Sequence, residues 1–347
     1  MKISRLGAIA VLTTAAVLAL TSCAANEGDA APAGSGAESG SSLSGMLTGI
    51  GASSMATAQE TWVAQFQTTN PDVTVNYSPD GSGAGREAFA GGGADFAGSD
   101  RAMKPEEMSA EAIAKSRCDA SQGAMNLPVY ISPIAIIYNV KGVTDLKLDA
   151  DTLAGIFAGK ITKWNDPKIA AANDGASLPD QNITPVHRAD DSGTTENFTD
   201  YLHQVAPTVW TSEPDGEWPL KGGEAAPQTS GMVDTVTNGN GTIGYADASK
   251  AAELSTPTPN RPTGDLALDV ARDTTEAGAY PVILISYQIV CLQYEKPTDG
   301  DLVKAFETYV TSAEGQDAAG KAAGSAPLTD ALRTKITASI AMIKGSS

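Results

Sequence analysis

Positive charge, histidine and cysteine are all scarce in this 347-residue chain, and each shortage closes a class of function. Lys and Arg number 23 against 41 Asp and Glu, for a formal net charge of -18, so the chain lacks the basic field that nucleic-acid binding needs. Only His187 and His203 could serve a serine as a general base, and neither a G-x-S-x-G elbow nor a G-x-x-x-x-G-K-[ST] phosphate loop occurs. His187, next to Arg188, is open to two readings, a base or a packing residue. The three cysteines have no zinc-type spacing. The apolar segment from Leu6 to Leu20 is too short for a comfortable membrane span.

That segment reads instead as an export signal. Lys2 and Arg5 precede it, and it ends in Leu20-Thr21-Ser22-Cys23, the small-residue pattern for cleavage and lipid attachment at a cysteine. A plain secretory signal with an incidental cysteine is the alternative. Residues 24 to about 44 are mainly Ala, Gly, Ser, Glu and Asp, with too little apolar surface to fold, so residues 23–44 are expected to form a tether after a signal at 1–22. Loss of Lys2 and Arg5 with the signal leaves the remaining chain still more acidic. Outside the cytoplasm thiols tend to be oxidised. With Cys23 lipidated, Cys118 and Cys291 are expected to form a disulfide, two separate buried thiols being the other reading.

The richest stretch is Arg188-Ala189-Asp190-Asp191-Ser192-Gly193-Thr194-Thr195. It sets a planar two-pronged cation beside hydroxyl and amide donors at the start of a helix bearing Phe198, Tyr201, Leu202 and Val205 at helical spacing. Helix N-termini leave N–H groups unpaired and carry partial positive charge, so the arrangement suits a tetrahedral oxyanion. By itself Arg188 could equally be a surface cation paired with Asp190. Related arrangements occur upstream. Met46 to Ile50 reads as a strand, Gly51-Ala52-Ser53-Ser54 as a tight loop, and Trp62 and Phe66 as one helix face. Val73, Val75 and Tyr77 alternate as a half-buried strand does, followed by Gly81-Ser82-Gly83-Ala84-Gly85. A third strand, Ala94 to Ala97, delivers Ser99-Asp100 to the same edge, where ligands of α/β sheets collect. Ser53 and Ser82 taken singly could be ordinary turn residues, and Asp100 could cap a helix before Pro105.

Together these pieces resemble the phosphate-binding receptors of bacterial high-affinity phosphate uptake transporters. The resemblance rests on Gly49-Ile50-Gly51-Ala52-Ser53, the Gly81 to Gly85 loop, Asp95 to Asp100, Gly155 to Asp166, the Arg188 run and Gly244-Tyr245, in the family's order across most of the chain. It implies phosphate contacts from Ser53, Ser54, Ser82, Asp100, Arg188, Ser192, Gly193 and Thr194, with Asp190 orienting Arg188. Ser53-Ser54 stands where the family usually has Thr then Phe, so Ser54 is expected to act through its backbone N–H. Asp191 replaces the family's usual Gly and is expected to point outward. An ionised aspartate at position 100 can only accept hydrogen bonds; protonated phosphate can donate one, whereas sulfate cannot. The resemblance also implies a monomeric receptor without catalysis or cofactor, served by a membrane permease and its ATPase.

The order of elements agrees with an α/β, two-lobed periplasmic-binding-protein-like fold hinged on two crossover strands. Residues 45–126 with 283–347 are expected to form one lobe and 127–282 the other. The crossovers are read at Val129 to Val140 and at Tyr280 to Ile285, with C-terminal helices built on Leu302, Phe306, Tyr309, Ile336 and Ile340.

Overall fold

A computed structural model describes residues 43–143, 146–247, 264–268, 270, 272, 274 and 280–346. The expected signal, Cys23 and all but the end of the expected tether lie outside these residues. Among the described residues no helix is long and apolar enough to cross a membrane.

Apolar alternation and continuous apolar runs build one mixed sheet. Strands β1 (Gly45–Gly51), β2 (Val73–Ser78) and β3 (Phe96–Ser99) form a parallel trio in the order β2-β1-β3. A second parallel trio contains β5 (Thr184–Arg188), β6 (Glu224–Ala226) and β7 (Thr242–Asp247), in the order β7-β5-β6. Between them lie two long antiparallel strands, β4 (Ala124–Asn139) and β8 (Ile283–Cys291). Every residue of β8 is buried, as expected of a strand covered on both faces. A short pair, β9 (Gln293–Tyr294) and β10 (Lys344–Gly345), stands apart.

Strand β4 sets the geometry of the molecule. Ala124 to Pro133 pair with β8, and Ile134 to Asn139 pair with β7, so one strand runs from the first trio's side to the second's. The first trio is parallel to β4, because β3 and β4 both run against β8. The second trio runs against β4. The carboxyl ends of the two trios therefore point toward each other, and ligands of α/β sheets collect at such ends. Pro128 is accommodated in this central strand by a shift of register between Pro128 and Tyr130, since proline cannot donate to the ladder.

Helices complete each side. Around the first trio pack α1 (Ala56–Thr69), α2 (Ser82–Ala90), α7 (Pro297–Thr311), α8 (Ala313–Ala323) and α9 (Asp330–Ala341). Phe306 meets Phe66 and Phe96 at 5.3 and 5.5 Å between ring centres, and the buried Trp62 indole donates to the Gly315 carbonyl at 2.7 Å. The second side carries α3 (Ala150–Phe157), α4 (Pro167–Ala172), α5 (Gly193–Val205) and α6 (Gln228–Asn238). There Phe198 stacks on Tyr245 at 4.4 Å and meets Phe157 edge-on at 4.9 Å, the core role that its helical spacing predicts.

Several strand boundaries differ from the sequence reading. β4 begins at Ala124, ahead of the expected Val129, because Ala124 to Pro128 already pair with β8. β3 is displaced toward Ser99, because Asp95 is engaged before the strand by the Thr48 N–H and Arg117. β8 begins at Ile283 and continues to Cys291, since Ser286 and Gln288, which end the apolar run on paper, are buried with polar partners. Cys118 and Cys291 are joined by a disulfide with Cα atoms 5.1 Å apart, tying the segment after β3 to the end of β8.

Candidate functional site

Three loops at the carboxyl ends of the first trio, and the turn after β5 in the second, converge on two buried charges. Asp100, directly after β3, is 2% exposed, and Arg188, the last residue of β5, is 4% exposed.

The Asp100 carboxylate is held by hydroxyls from three elements. Ser54 donates to Oδ1 at 2.6 Å, Ser286 of β8 donates to Oδ1 at 2.7 Å, and Thr194 of α5 donates to Oδ2 at 2.7 Å. None of these is the backbone donor that helix capping would use, and residues 101–118 form turns without an α-helix. A carboxylate offers about four lone-pair sites, so three hydroxyls leave room for one more donor. The Asp100 N–H donates to Ser82 Oγ at 3.1 Å, leaving the Ser82 hydroxyl proton free to be donated elsewhere. Asn197 Nδ2 closes the far side by donating to the carbonyls of Asp100 and Gly193 at 2.6 and 2.8 Å.

Arg188 is oriented through the Nε and Nη2 edge of its guanidinium. Nε and Nη2 donate to the two oxygens of Asp190 at 2.9 and 2.5 Å, and Nη2 also reaches Ser53 Oγ at 3.2 Å. Burial raises the Asp190 pKa, but the hydrogen bonds and charge of Arg188 outweigh it and hold the group below the ordinary carboxylate value. Ser53 Oγ also accepts from the Thr229 N–H at 3.1 Å, and Asp190 accepts from the Gln228 N–H at 3.0 Å. Gln228 has φ 56°, a left-handed conformation that non-glycine residues seldom adopt, and it lies where α6 meets Asp190.

Helix α5 starts as the Ser-Gly-Thr pattern predicts. Ser192 is its N-cap and accepts from the Thr195 N–H, which leaves its own hydroxyl proton available. Gly193 is required by space: a Cβ there would stand 2.7 Å from Asp100 Cβ and 2.8 Å from Ser82 Oγ. The bare backbone lets the positive end of α5 approach the other trio's loops. The Tyr245 hydroxyl, 2.8 Å from Thr195 Oγ1, accepts from the Arg188 N–H and so sets the strand-to-helix turn; burial pushes its pKa up to about 12.

All eight anion-contact candidates, Ser53, Ser54, Ser82, Asp100, Arg188, Ser192, Gly193 and Thr194, are brought to this locus, and the side chains of all but Ser192 and Gly193 share hydrogen bonds within it. The Ser54 hydroxyl binds Asp100, a contact beyond the backbone N–H expected of this residue. Sequence reasoning missed Ser286, Thr229, Asn197 and the Tyr245 hydroxyl. Ser286 had a legible signal, a lone hydroxyl inside the run Ile283-Leu284-Ile285-Ser286-Tyr287. His187 stacks on Trp218 at 5.0 Å, with Nδ1 2.9 Å from the Arg188 carbonyl, and His203 Nδ1 lies 3.0 Å from the Ser212 carbonyl. Both are engaged in packing and turn contacts. Among the described residues no cluster of His, Cys, Asp and Glu could hold a metal ion.

A third carboxyl lies within electrostatic reach. Half-buried Asp247, at the end of β7, accepts from the Tyr130 hydroxyl at 3.3 Å; burial and the charge of Asp100 push its pKa up to about 7, against smaller opposing effects of the Tyr130 hydrogen bond, a backbone hydrogen bond and, last, Arg188. With the folded value above the unfolded value of about 3.9, its stabilising contribution is full below pH 3.9 and is lost as pH rises through 7. Asp247→Asn is therefore expected to remove a stability decline between pH 4 and 8, on the order of 2 kcal/mol after solvent screening. Urea unfolding at stepped pH measures it; equal slopes in both proteins would assign the decline elsewhere.

Comparison with known proteins agrees with this geometry. The family model for the PBP superfamily domain matches residues 31–314. The chain is 33% identical over 372 residues to the phosphate-binding protein PstS2 of Mycobacterium bovis, covering 98% of this chain and 99% of that protein. It is 34% identical over 379 residues to the phosphate-binding protein PstS 3 of Mycobacterium leprae, covering 97% and 98%. A solved phosphate-binding protein from Stenotrophomonas maltophilia superposes with a TM-score of 0.65 at 19% identity, over 85% of this chain and 93% of that one.

Proposed function

Since the chain belongs to the PBP superfamily and, within it, to the PstS phosphate-binding proteins, we propose that it is a receptor that captures inorganic phosphate for an ABC transporter. The observation that carries this reading is the pairing of a buried, hydroxyl-ringed Asp100 with a buried, Asp190-oriented Arg188 at the positive end of α5. Arg188, the Ser192, Gly193 and Thr194 end of α5, and the hydroxyls of Ser53 and Ser82 supply donors to three phosphate oxygens. Ser54 contributes its N–H while its hydroxyl steadies Asp100. The fourth oxygen, still protonated near neutral pH, donates to Asp100. Sulfate has no proton to give there and meets lone pairs with lone pairs.

The donors come from both sides of β4. In this reading residues 45–126 with 283–347 and residues 127–282 are two lobes that close on the anion by hinge motion. No bond is made or broken; the loaded form docks on a permease driven by its ATPase. Export, with lipid on Cys23 and a tether to residue 44, keeps a monomeric receptor at the outer face of the membrane, and the disulfide fits that oxidising setting.

Isothermal titration of the phosphate-stripped domain that follows Cys23 tests the proposal. Tight one-to-one binding of phosphate with no response to sulfate at matched ionic strength is the expected result. Equal binding of both ions, or of neither, refutes it.

A further inference from the structure

The rim of the site carries charged side chains that bind chiefly one another. From the first side come Arg86 of α2 and Arg101 and Glu107 after β3; from the second come Asp191 and Glu196 at the start of α5. Arg86 Nη1 donates to Ser99 Oγ at 2.9 Å on its own side, while Nη2 crosses to the Asp191 oxygens at 3.0 and 3.3 Å. Arg101 binds Glu107 through both Nη atoms at 2.6 and 2.7 Å, and its Nε crosses to Glu196 at 2.9 Å. Each cation thus keeps partners at home, Arg86 with Ser99 and Glu107 and Arg101 with Glu107 and the Ala102 carbonyl, and reaches one carboxylate on the opposite side.

The structure makes room for the crossing at Asp191. A Cβ on Gly83 would lie 2.2 Å from Asp191 Oδ2, and one on Gly216 would lie 2.1 Å from Oδ1, so two bare backbones form the slot that this side chain occupies. The Gly83 N–H also donates to the Asp191 carbonyl at 3.1 Å, a further bond between the sides. Arg86 is 6% exposed and Asp191 41%, so the pair is sheltered on one face and reachable by solvent on the other.

We propose that Arg86–Asp191, seconded by Arg101–Glu196, is an ionic latch across the cleft, and that Asp191 is a positioning residue that sets how long the closed form retains its ligand. The inference rests on the phosphate-receptor reading for its ligand. It also carries a sign that separates it from a simple field effect. Asp191 is an anion near an anion site, so neutralising it ought to tighten phosphate binding if charge alone mattered. A latch demands the reverse, because opening must separate the pair, whereas first encounter with the open cleft does not.

The test compares the wild-type domain with Asp191→Asn and Glu196→Gln by stopped-flow phosphate association and release at low and high salt. A half-sheltered pair predicts roughly 5-fold faster release for Asp191→Asn, a smaller change in the same direction for Glu196→Gln, association within about 2-fold, and loss of the salt dependence of release. Unchanged or slower release, or an undiminished salt slope, overturns the latch. Nitroxide labels at Ser109 and Glu217, exposed on opposite sides, give a readout without phosphate. The latch predicts a longer mean distance in Asp191→Asn than in wild type, and equal distances overturn it. Failure of the wild type to bind phosphate would refute the receptor reading, while the label distances would still decide the latch.

Discussion

Arg188→Ala is expected to weaken phosphate binding by about 2–5 kcal/mol, the usual loss when one partner of a buried, hydrogen-bonded charge pair is removed. The guanidinium is nearly inaccessible and three of its hydrogen bonds are already committed, two to Asp190 and one to Ser53. Truncation removes the cation and also leaves Asp190 as an anion beside the ligand, with the Gln228 N–H as its remaining partner from outside the Arg188 pair. The double variant Arg188→Ala/Asp190→Asn should therefore recover part of the loss. Arg188→Lys should recover little, since a point charge cannot span both Asp190 oxygens and Ser53 as the planar fork does. Isothermal titration reads all three, and an affinity for Arg188→Ala equal to wild type within error removes Arg188 from the site.

Asp100→Asn is expected to reduce preference for phosphate over sulfate by roughly 10²-fold or more, while weakening phosphate itself far less. Sites that require a hydrogen-bond partner can discriminate by about 10⁴–10⁵, well beyond what shape gives. The variant keeps one oxygen for Ser54 and Ser286, which meet at Oδ1. The amide nitrogen replaces Oδ2, where Thr194 can rotate its hydroxyl to accept. An –NH₂ group then faces the anion with protons, and sulfate becomes acceptable. Competition titrations at constant ionic strength decide the matter; sulfate exclusion at the wild-type level would sink the role assigned to Asp100.

Much of the scaffold was legible because its signals are local. Val73, Val75 and Tyr77 alternate with a period of two and form β2; Phe198 and Leu202 recur with helical spacing and are buried on α5. Ser192 before Gly-Thr-Thr is a capping pattern, and it caps the helix. The boundaries of β3 and β8 are set by polar residues whose partners are remote in sequence: Asp95 stops β3 from starting earlier, while Ser286 and Gln288 lie buried inside β8. Local pattern puts Asp95 in a strand and ends one at Ser286; only their partners in space, Thr48 for Asp95, Asp100 for Ser286 and Glu307 for Gln288, show otherwise.

The chain by itself determined which residue types stand at each strand-to-helix turn, where glycine leaves backbone donors open, and that Arg188 and Asp190 are close enough in sequence to pair. Those properties follow from side-chain periodicity and backbone sterics over a few residues. Tertiary structure alone decided what completes them: Ser286 donating to Asp100 across 186 positions, Thr194 across 94, and Arg86 meeting Asp191 across 105. It also decided that Asp247 is desolvated near Asp100, burial first and that charge second moving its titration toward neutrality. The reason is β4, which pairs with β8 along its first part and with β7 along its last, and so turns the carboxyl ends of two parallel trios face to face. Hydrogen bonds and Coulomb interactions act over a few ångströms, and only that long crossing strand brings these distant segments within their range.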